Sequence, residues 1–272
     1  MDTMVQDLNA TAVVPALEAN MAAFWAGYGR APGAELHEGE DLLRVITGAS
    51  EALFNGVFRA RLSSDAVDSA IGKTLARVAS RRVPMFWWVG PSTRPVDLGA
   101  QLERCGFTHA GNSPAMAVDL RTLSEQLSRI PGLVVKPVED LDELRRWARV
   151  AAIGTGFPER FHDELVELEV GVGLGPRGRL YARYVGYQDG EAVGTSALLL
   201  HAGVAGIFAV ATLPRARGRG IGTALTLGPL LEARRRGYRL GTLQATPMGF
   251  PVYRRIGFRE VCSPIEMYLW SP

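Results

Sequence analysis

The feature that most constrains this chain is a weak internal repeat. Gly56-Val57-Phe58 is echoed by Gly206-Ile207-Phe208. Leu102-Glu103-Arg104-Cys105-Gly106-Phe107 is echoed by Tyr253-Arg254-Arg255-Ile256-Gly257-Phe258, and Ser113-Pro114 by Ser263-Pro264. The order is kept and the spacing is nearly constant. One such match is chance; three in register predict two copies of one fold. The period is far too long for a solenoid, and 272 residues suffice for two modest cores. The joint is expected near Arg129-Ile130-Pro131-Gly132, where Pro-Gly punctuates the chain before a strand at Leu133. The expected domains are therefore 1–130 and 131–272.

The second copy has the clearer pattern. Asp140 can cap a helix, with Glu143 completing a capping box. A shorter helix is expected over Phe161–Glu169 and a glycine-rich loop over Gly171–Gly178. Leu180–Gln188 and Ala192–Leu200 read as strands around an Asp189-Gly190 hairpin turn. Ala205–Ala211 is a third strand, Gly220–Arg236 a helix, Arg239–Ala245 a strand, Pro251–Gly257 a short helix and Ile265–Leu269 the last strand. The uncharged run Ala192–Leu213 has the length of a membrane span, but Gly203 and Gly206 break it, so two buried strands explain it better. The first copy is less regular: helices over Ala16–Tyr28 and Ser64–Ser80, strands over Gly56–Leu62 and Pro84–Val89. Trp87-Trp88 reads as core strand, and the Walker-like Ile71-Gly72-Lys73-Thr74 reads as mid-helix without the first glycine.

Chemistry concentrates in Gly206 to Thr223, where a buried strand runs into a loop of Arg and Gly and then into a helix. Glycines allow close backbone approach. Successive N–H groups and a helix N-terminus attract an anion, and Arg adds charge-assisted bonds. A phosphate is therefore predicted over Arg217 to Gly222. Glycine spacing alone is weak evidence for which phosphate ligand.

The wider pattern is more specific. Arg217-x-x-Gly220-x-Gly222 resembles the Q/R-x-x-G-x-G/A motif of the GNAT acetyltransferase superfamily. The preceding strand with Val-Ala-Thr-x-Pro resembles the family as well, as does Leu243-Gln244-Ala245-Thr246 followed by Tyr253 and Gly257-Phe258. The resemblance covers Leu133 to Leu269, and the first half only in outline. It implies an α/β (α+β) fold class: two tandem GNAT-like domains, each a mixed, mostly antiparallel sheet flanked by helices. It implies acetyl-CoA as cosubstrate, no metal, and transfer of the acetyl group to a primary amine by direct attack. Val210 and Thr212 would bond the pantetheine arm through their backbone. Arg217, Gly218, Arg219, Gly220, Ile221, Gly222 and Thr223 would hold the pyrophosphate through backbone N–H groups, and Tyr253 would protonate or hydrogen-bond the departing thiolate. Backbone N–H groups of Ala209 to Ala211 would polarise the carbonyl.

This chain departs from the family pattern in one respect. Its strand Ile207–Ala211 carries no carboxylate, so the base is unassigned, with Glu169, His162, His201 and Glu191 candidates by type alone. A non-catalytic acyl-CoA binder and a nucleotide-binding module of another fold stand as alternatives. In the first copy, Ser63 to Asp68 replaces the phosphate loop, and Asp65 and Asp68 would repel phosphate. The first half, 1–130, is therefore expected to be degenerate and without CoA.

Composition narrows the rest. A net charge of +2 indicates neither nucleic acid nor anionic membrane as partner. Two distant cysteines and four scattered histidines make no disulfide framework or zinc site, which fits a cytoplasmic protein. A small-molecule amine is the expected partner, bound by a monomer or homodimer. The acceptor-selecting residues are expected in Gly154–Gly178 and the first half.

Overall fold

Turn chemistry and alternation set the strands. Asp189 and Gly190 both take left-handed backbone, φ 51° and 85°, which is the geometry a two-residue hairpin demands. Ala202 and Gly203 do the same, φ 53° and 74°, and fold the uncharged run into two strands. The computed structural model describes residues 4–125, 130–174 and 180–272. Arg129 and the stretch from Gly175 to Gly178, both part of expected loops, lie outside the described residues.

In chain order the elements are α1 (Ala10–Ala26), β1 (Glu35–Glu38), β2 (Leu43–Ile46), β3 (Asn55–Phe58), α2 (Val67–Arg81), β4 (Met85–Val89), α3 (Leu98–Arg104), β5 (Thr108–Ser113) and β6 (Ala115–Asp119). Then come β7 (Leu133–Pro137), α4 (Leu141–Thr155), α5 (Glu159–Val172), β8 (Tyr181–Gln188), β9 (Glu191–His201) and β10 (Val204–Thr212). The chain ends with α6 (Ile221–Arg235), β11 (Leu240–Gln244), α7 (Phe250–Ile256), β12 (Arg259–Glu260) and β13 (Ile265–Trp270). Asp140 caps α4 by accepting the Glu143 N–H at 2.8 Å. The Glu143 carboxylate reaches one residue further back than a capping box requires, to the Glu139 N–H at 3.0 Å.

Two mixed, mostly antiparallel sheets result. The first has the order β1-β2-β3-β4-β13-β5, the second β12-β6-β11-β10-β9-β8-β7. Each is centred on one parallel pair, β3 with β4 and β10 with β11. The sheets exchange a strand. β13, expected to finish the second copy, pairs instead with β4 and β5, Met267 opposite Trp88 and Tyr268 opposite Trp87. β6 crosses the other way and lies between β11 and β12.

The physical reason is visible in the side chains. Ala115, Met116, Ala117 and Val118 are buried on both faces, so β6 needs a central slot, and β11 with β12 provides it. Tyr268 is buried in the cluster around Trp87, on the α2–α3 side of the first sheet. The repeated Ser-Pro pairs mark the crossings. Proline cannot donate to a ladder and forces its predecessor into extended backbone, so Pro114 and Pro264 each break a strand where the chain changes sheet.

One apolar cluster packs α2 and α3 under the first sheet, and another packs α6 and α7 on the second. The largest lies between the sheets around α1, α4 and α5, with Phe24 of α1 stacked on Phe208 of β10 at 4.0 Å. A charged triad is buried there. Arg183 donates to Glu169 at 2.5 Å and to the Gly173 carbonyl at 3.0 Å, and the Tyr28 hydroxyl donates to Glu169 at 2.6 Å. Arg183 also lies over the rings of Tyr181 and Trp147. Arg183 and Glu169 are 3% and 1% exposed, so removing one partner strands a charge. Arg183→Met alone is expected to lose about 3–5 kcal/mol of stability in denaturant unfolding, and adding Glu169→Leu to recover most of it.

Candidate active site

The end of β10 is shaped by one bulge. Its ladder to β9 shifts between Phe208 and Ala211, and Ala209 there takes φ 48°. The Thr195 hydroxyl donates to the Ala209 carbonyl at 3.0 Å and fixes the distortion. On the other edge, the parallel ladder from β10 to β11 ends at Gly206 opposite Thr242. Beyond that point the strands splay. Leu213 N–H donates to Val193 at 2.9 Å, and by alternation the backbone of Val210 and Thr212 faces the splay. These are the residues expected to meet an extended ligand arm.

The loop that follows leaves backbone donors unused. Gly218 and Gly220 take φ 77° and 81°, and Gly220 starts α6 without any side-chain cap. The first-turn amides of Ile221, Gly222 and Thr223 are thus left uncapped at the positive end of a 15-residue helix. A Cβ on Gly222 would lie 3.8 Å from the Thr212 hydroxyl and 4.0 Å from a Val210 methyl, so the helix start sits directly over the splay. The structure therefore brings Val210, Thr212 and the phosphate loop together.

The two arginine side chains are placed differently. Arg217 is engaged: it donates to the Thr212 carbonyl at 3.2 Å and to the Gly154 carbonyl of α4 at 2.9 Å. The helix approaches so closely that a Cβ on Gly154 would meet Thr212 N at 3.1 Å. Arg217 therefore ties the loop to α4, while Arg219 makes no ion pair or hydrogen bond among the described residues and is the cation free to reach a phosphate. Arg217→Ala is expected to weaken CoA binding about three- to tenfold, the range of one exposed charge-assisted tie. The salt dependence of affinity should stay as it is, whereas Arg219→Ala should flatten it. Calorimetry at two ionic strengths checks both; a flattened slope in Arg217→Ala would put that guanidinium on the phosphates.

Tyr253 is held from below. It packs in the cluster with Ile221, Ala245 and Val210, edge-on to Phe258 at 5.9 Å. A Cβ on Gly249 would strike its ring at 2.7 Å. The N–H groups of Gly257 and Phe258 donate to the Tyr253 carbonyl at 3.2 and 3.1 Å, which explains the Tyr-x-x-x-Gly-Phe spacing as a helix end wrapped around its own tyrosine. Burial holds the phenol well above its ordinary pKa, so it stays protonated. Its hydroxyl has no hydrogen-bond partner among the described residues.

The candidate bases are placed elsewhere or committed. Glu169 belongs to the triad with Arg183 and Tyr28. Glu191 pairs with Arg215 at 2.9 Å on the surface, and His162 Nε2 meets the Phe157 carbonyl at 2.9 Å. His201 stands at the far end of β9 from Thr195. Thr195 and Gly154 were missed by sequence reasoning. Thr195 donates to the carbonyl of Ala209 and Gly154 offers its own carbonyl to Arg217, and neither belongs to a motif.

Residues 179–260 match a family model described as an acetyltransferase (GNAT) domain. No curated protein matches the sequence significantly. Among solved structures, a GCN5-related N-acetyltransferase from Kribbella flavida is similar at TM-score 0.66 and 18% identity, with 94% of this chain and 96% of that one covered. A GCN5-related N-acetyltransferase from Sphaerobacter thermophilus is similar at 0.61 and 16% identity, covering 97% and 92%. A tandem GNAT protein from the clavulanic acid biosynthesis pathway is similar at 0.58 and 15% identity, covering 97% and 94%.

Proposed function

We propose, from a chain whose residues 179–260 match a GNAT acetyltransferase domain within a tandem GNAT fold, that it moves an acetyl group from acetyl-CoA to a primary amine. The observation that carries this is the uncapped start of α6 lying over the β10–β11 splay. It matches a ligand with an anionic end and an extended, hydrogen-bonding arm. The pyrophosphate would take the amides from Gly218 to Thr223, with Arg219 beside them, and the arm would pair with Val210 and Thr212. The uncharged amine would attack the thioester directly. Tyr253, kept protonated by burial, would donate to the departing sulfur.

A second reading, a non-catalytic acyl-CoA binder, is favoured by one observation: none of the four candidate bases is placed at the splay. Thiol release from acetyl-CoA across a panel of primary amines separates the two. Amine-dependent release with N-acetylated product supports transfer. CoA binding without release supports the binder, and no CoA binding removes both.

Two readings of the whole chain belong with this proposal. The acceptor would be a small-molecule amine, and the compartment the reducing cytoplasm, since Cys105 and Cys262 are both free thiols. Among the described residues, no helix is long and apolar enough to cross a membrane.

A further inference from the structure

The first sheet repeats the centre of the second and then departs from it. Each parallel pair keeps its ladder for the same short stretch, Gly56 opposite Phe86 and Val57 opposite Trp87 in one, Ala205 opposite Gly241 and Gly206 opposite Thr242 in the other. In both halves the residue after the buried phenylalanine turns left-handed, Arg59 at φ 54° and Ala209 at φ 48°. Counted from Gly56 and Gly206, Ala60 stands where Val210 stands, and Leu62 where Thr212 stands.

In the second half no backbone segment bonds to Val210 or Thr212 across the splay among the described residues; only the Arg217 side chain reaches the Thr212 carbonyl. In the first half the chain fills the splay with itself. After β4, Thr93 N–H donates to the Gly90 carbonyl at 3.0 Å and Gly90 N–H to the Thr93 hydroxyl at 2.9 Å, which makes a tight turn. The chain then runs in the same direction as β3, alongside the residues that follow it. Arg94 N–H donates to the Ala60 carbonyl at 3.0 Å, and Leu62 N–H donates to the Arg94 carbonyl at 3.0 Å. Arg61 and Arg94 thus pair as neighbours in a parallel bridge. A buried carboxylate steadies the turn, Glu18 of α1 accepting the Ser92 N–H at 3.3 Å. Ala60, Leu62 and Thr93 are all buried. The loop before α2 also lacks the anion seat: its helix starts at Val67 with Asp68 in the first turn.

We infer that the segment Gly90–Arg94 is a built-in substitute for the ligand arm, closing the first cleft so that each chain takes one CoA, through its second half alone. The same backbone groups that an extended ligand would use are already bonded, and displacing the segment would break both of its bonds to β3 and strip the turn from Glu18. The first half then serves as a fixed wall rather than a second site. The closure rests on the hydrogen bonds just given; only the identity of the ligand rests on the proposed function.

Two measurements on the full chain test this. Native mass spectrometry at a CoA concentration just sufficient to saturate the wild-type chain should show one molecule per wild-type chain and almost none on Gly220→Val. Two per wild-type chain, or full occupancy retained in Gly220→Val, overturns the inference. Amide hydrogen exchange should show Leu62 and Arg94 protected as strongly as the core of β3, with or without CoA. Exchange at the rate of an exposed loop overturns the closure. If the wild-type chain binds no CoA, the proposed function falls, while the exchange of Leu62 and Arg94 still decides whether the first cleft is closed.

Discussion

Gly220→Val is expected to weaken CoA binding by roughly hundredfold or more, with the fold retained. Gly220 takes φ 81° at the position that starts α6. An L-residue there costs about 1–2 kcal/mol, and a β-branched one the upper end of that range. The new Cβ would also lie 3.2 Å from the Ile130 side chain, so relief requires the loop to shift. A shift turns the amides of Ile221, Gly222 and Thr223 away from a common focus, and that focus is what binds a diphosphate. The strain and the lost donors act together, which is why the effect exceeds the tenfold that 1.4 kcal/mol alone would give. Circular dichroism checks the fold and calorimetry the affinity. Gly220→Ala should fall between the two, since it brings the Cβ without the branch. Wild-type affinity in the valine variant would mean the phosphates sit elsewhere.

That loop was legible in the sequence because everything it needs is local. Gly218, Gly220 and Gly222 follow a buried strand and open a helix, and their spacing states the backbone geometry. Tyr253 was legible for the same reason: Gly257 and Phe258 close the helix on it within one turn. The strand exchange was not legible. The alternation of Ile265 to Trp270 says which side chains are buried, but both sheets offer an apolar face, and only pairing with β4 and β5 decides between them. The short strands β1 and β12 were missed because Glu35–Glu38 and Arg259–Glu260 are largely exposed and carry no apolar pattern.

Arg217 shows a subtler limit. Its residue type and place in the motif point to a phosphate, and nothing nearby in sequence contradicts that. Its strongest partner is the Gly154 carbonyl, in a helix far earlier in the chain. The closing of the first cleft has the same character. Nothing in the residue types of Ser92, Thr93 and Arg94 signals that Ala60 and Leu62 bond to the Arg94 backbone. In both cases a backbone carbonyl is the acceptor, and backbone groups leave no trace in residue identity. Motifs thus point to one loop, while tertiary hydrogen bonds show which half of the repeat keeps the backbone beside it unpaired among the described residues.

Tyr253→Phe is expected to lower turnover roughly hundredfold, the low end of the range for loss of one acid catalyst, while CoA affinity changes less than about twofold. The substitution is clean in this site. The ring keeps its packing on Gly249 and Phe258, and the lost hydroxyl leaves no protein partner unsatisfied among the described residues. Stability should therefore hold, which separates a catalytic effect from a structural one. The sign of the pH dependence follows from burial, which raises the phenol above its ordinary value of 10.0. The proton that Tyr253 would donate is present throughout the neutral range, so its ionisation should produce no alkaline fall in kcat below about pH 10. The raised value also weakens the phenol as an acid, but the same desolvation would make a departing thiolate a stronger base. Burial thus moves donor and acceptor in the same direction, and the hydroxyl would stabilise the sulfur as charge develops on it. Pre-steady-state thiol release with a reactive amine measures the effect. Unchanged release in the phenylalanine variant would remove Tyr253 from the reaction and leave the attacking amine's own proton as the one delivered to sulfur.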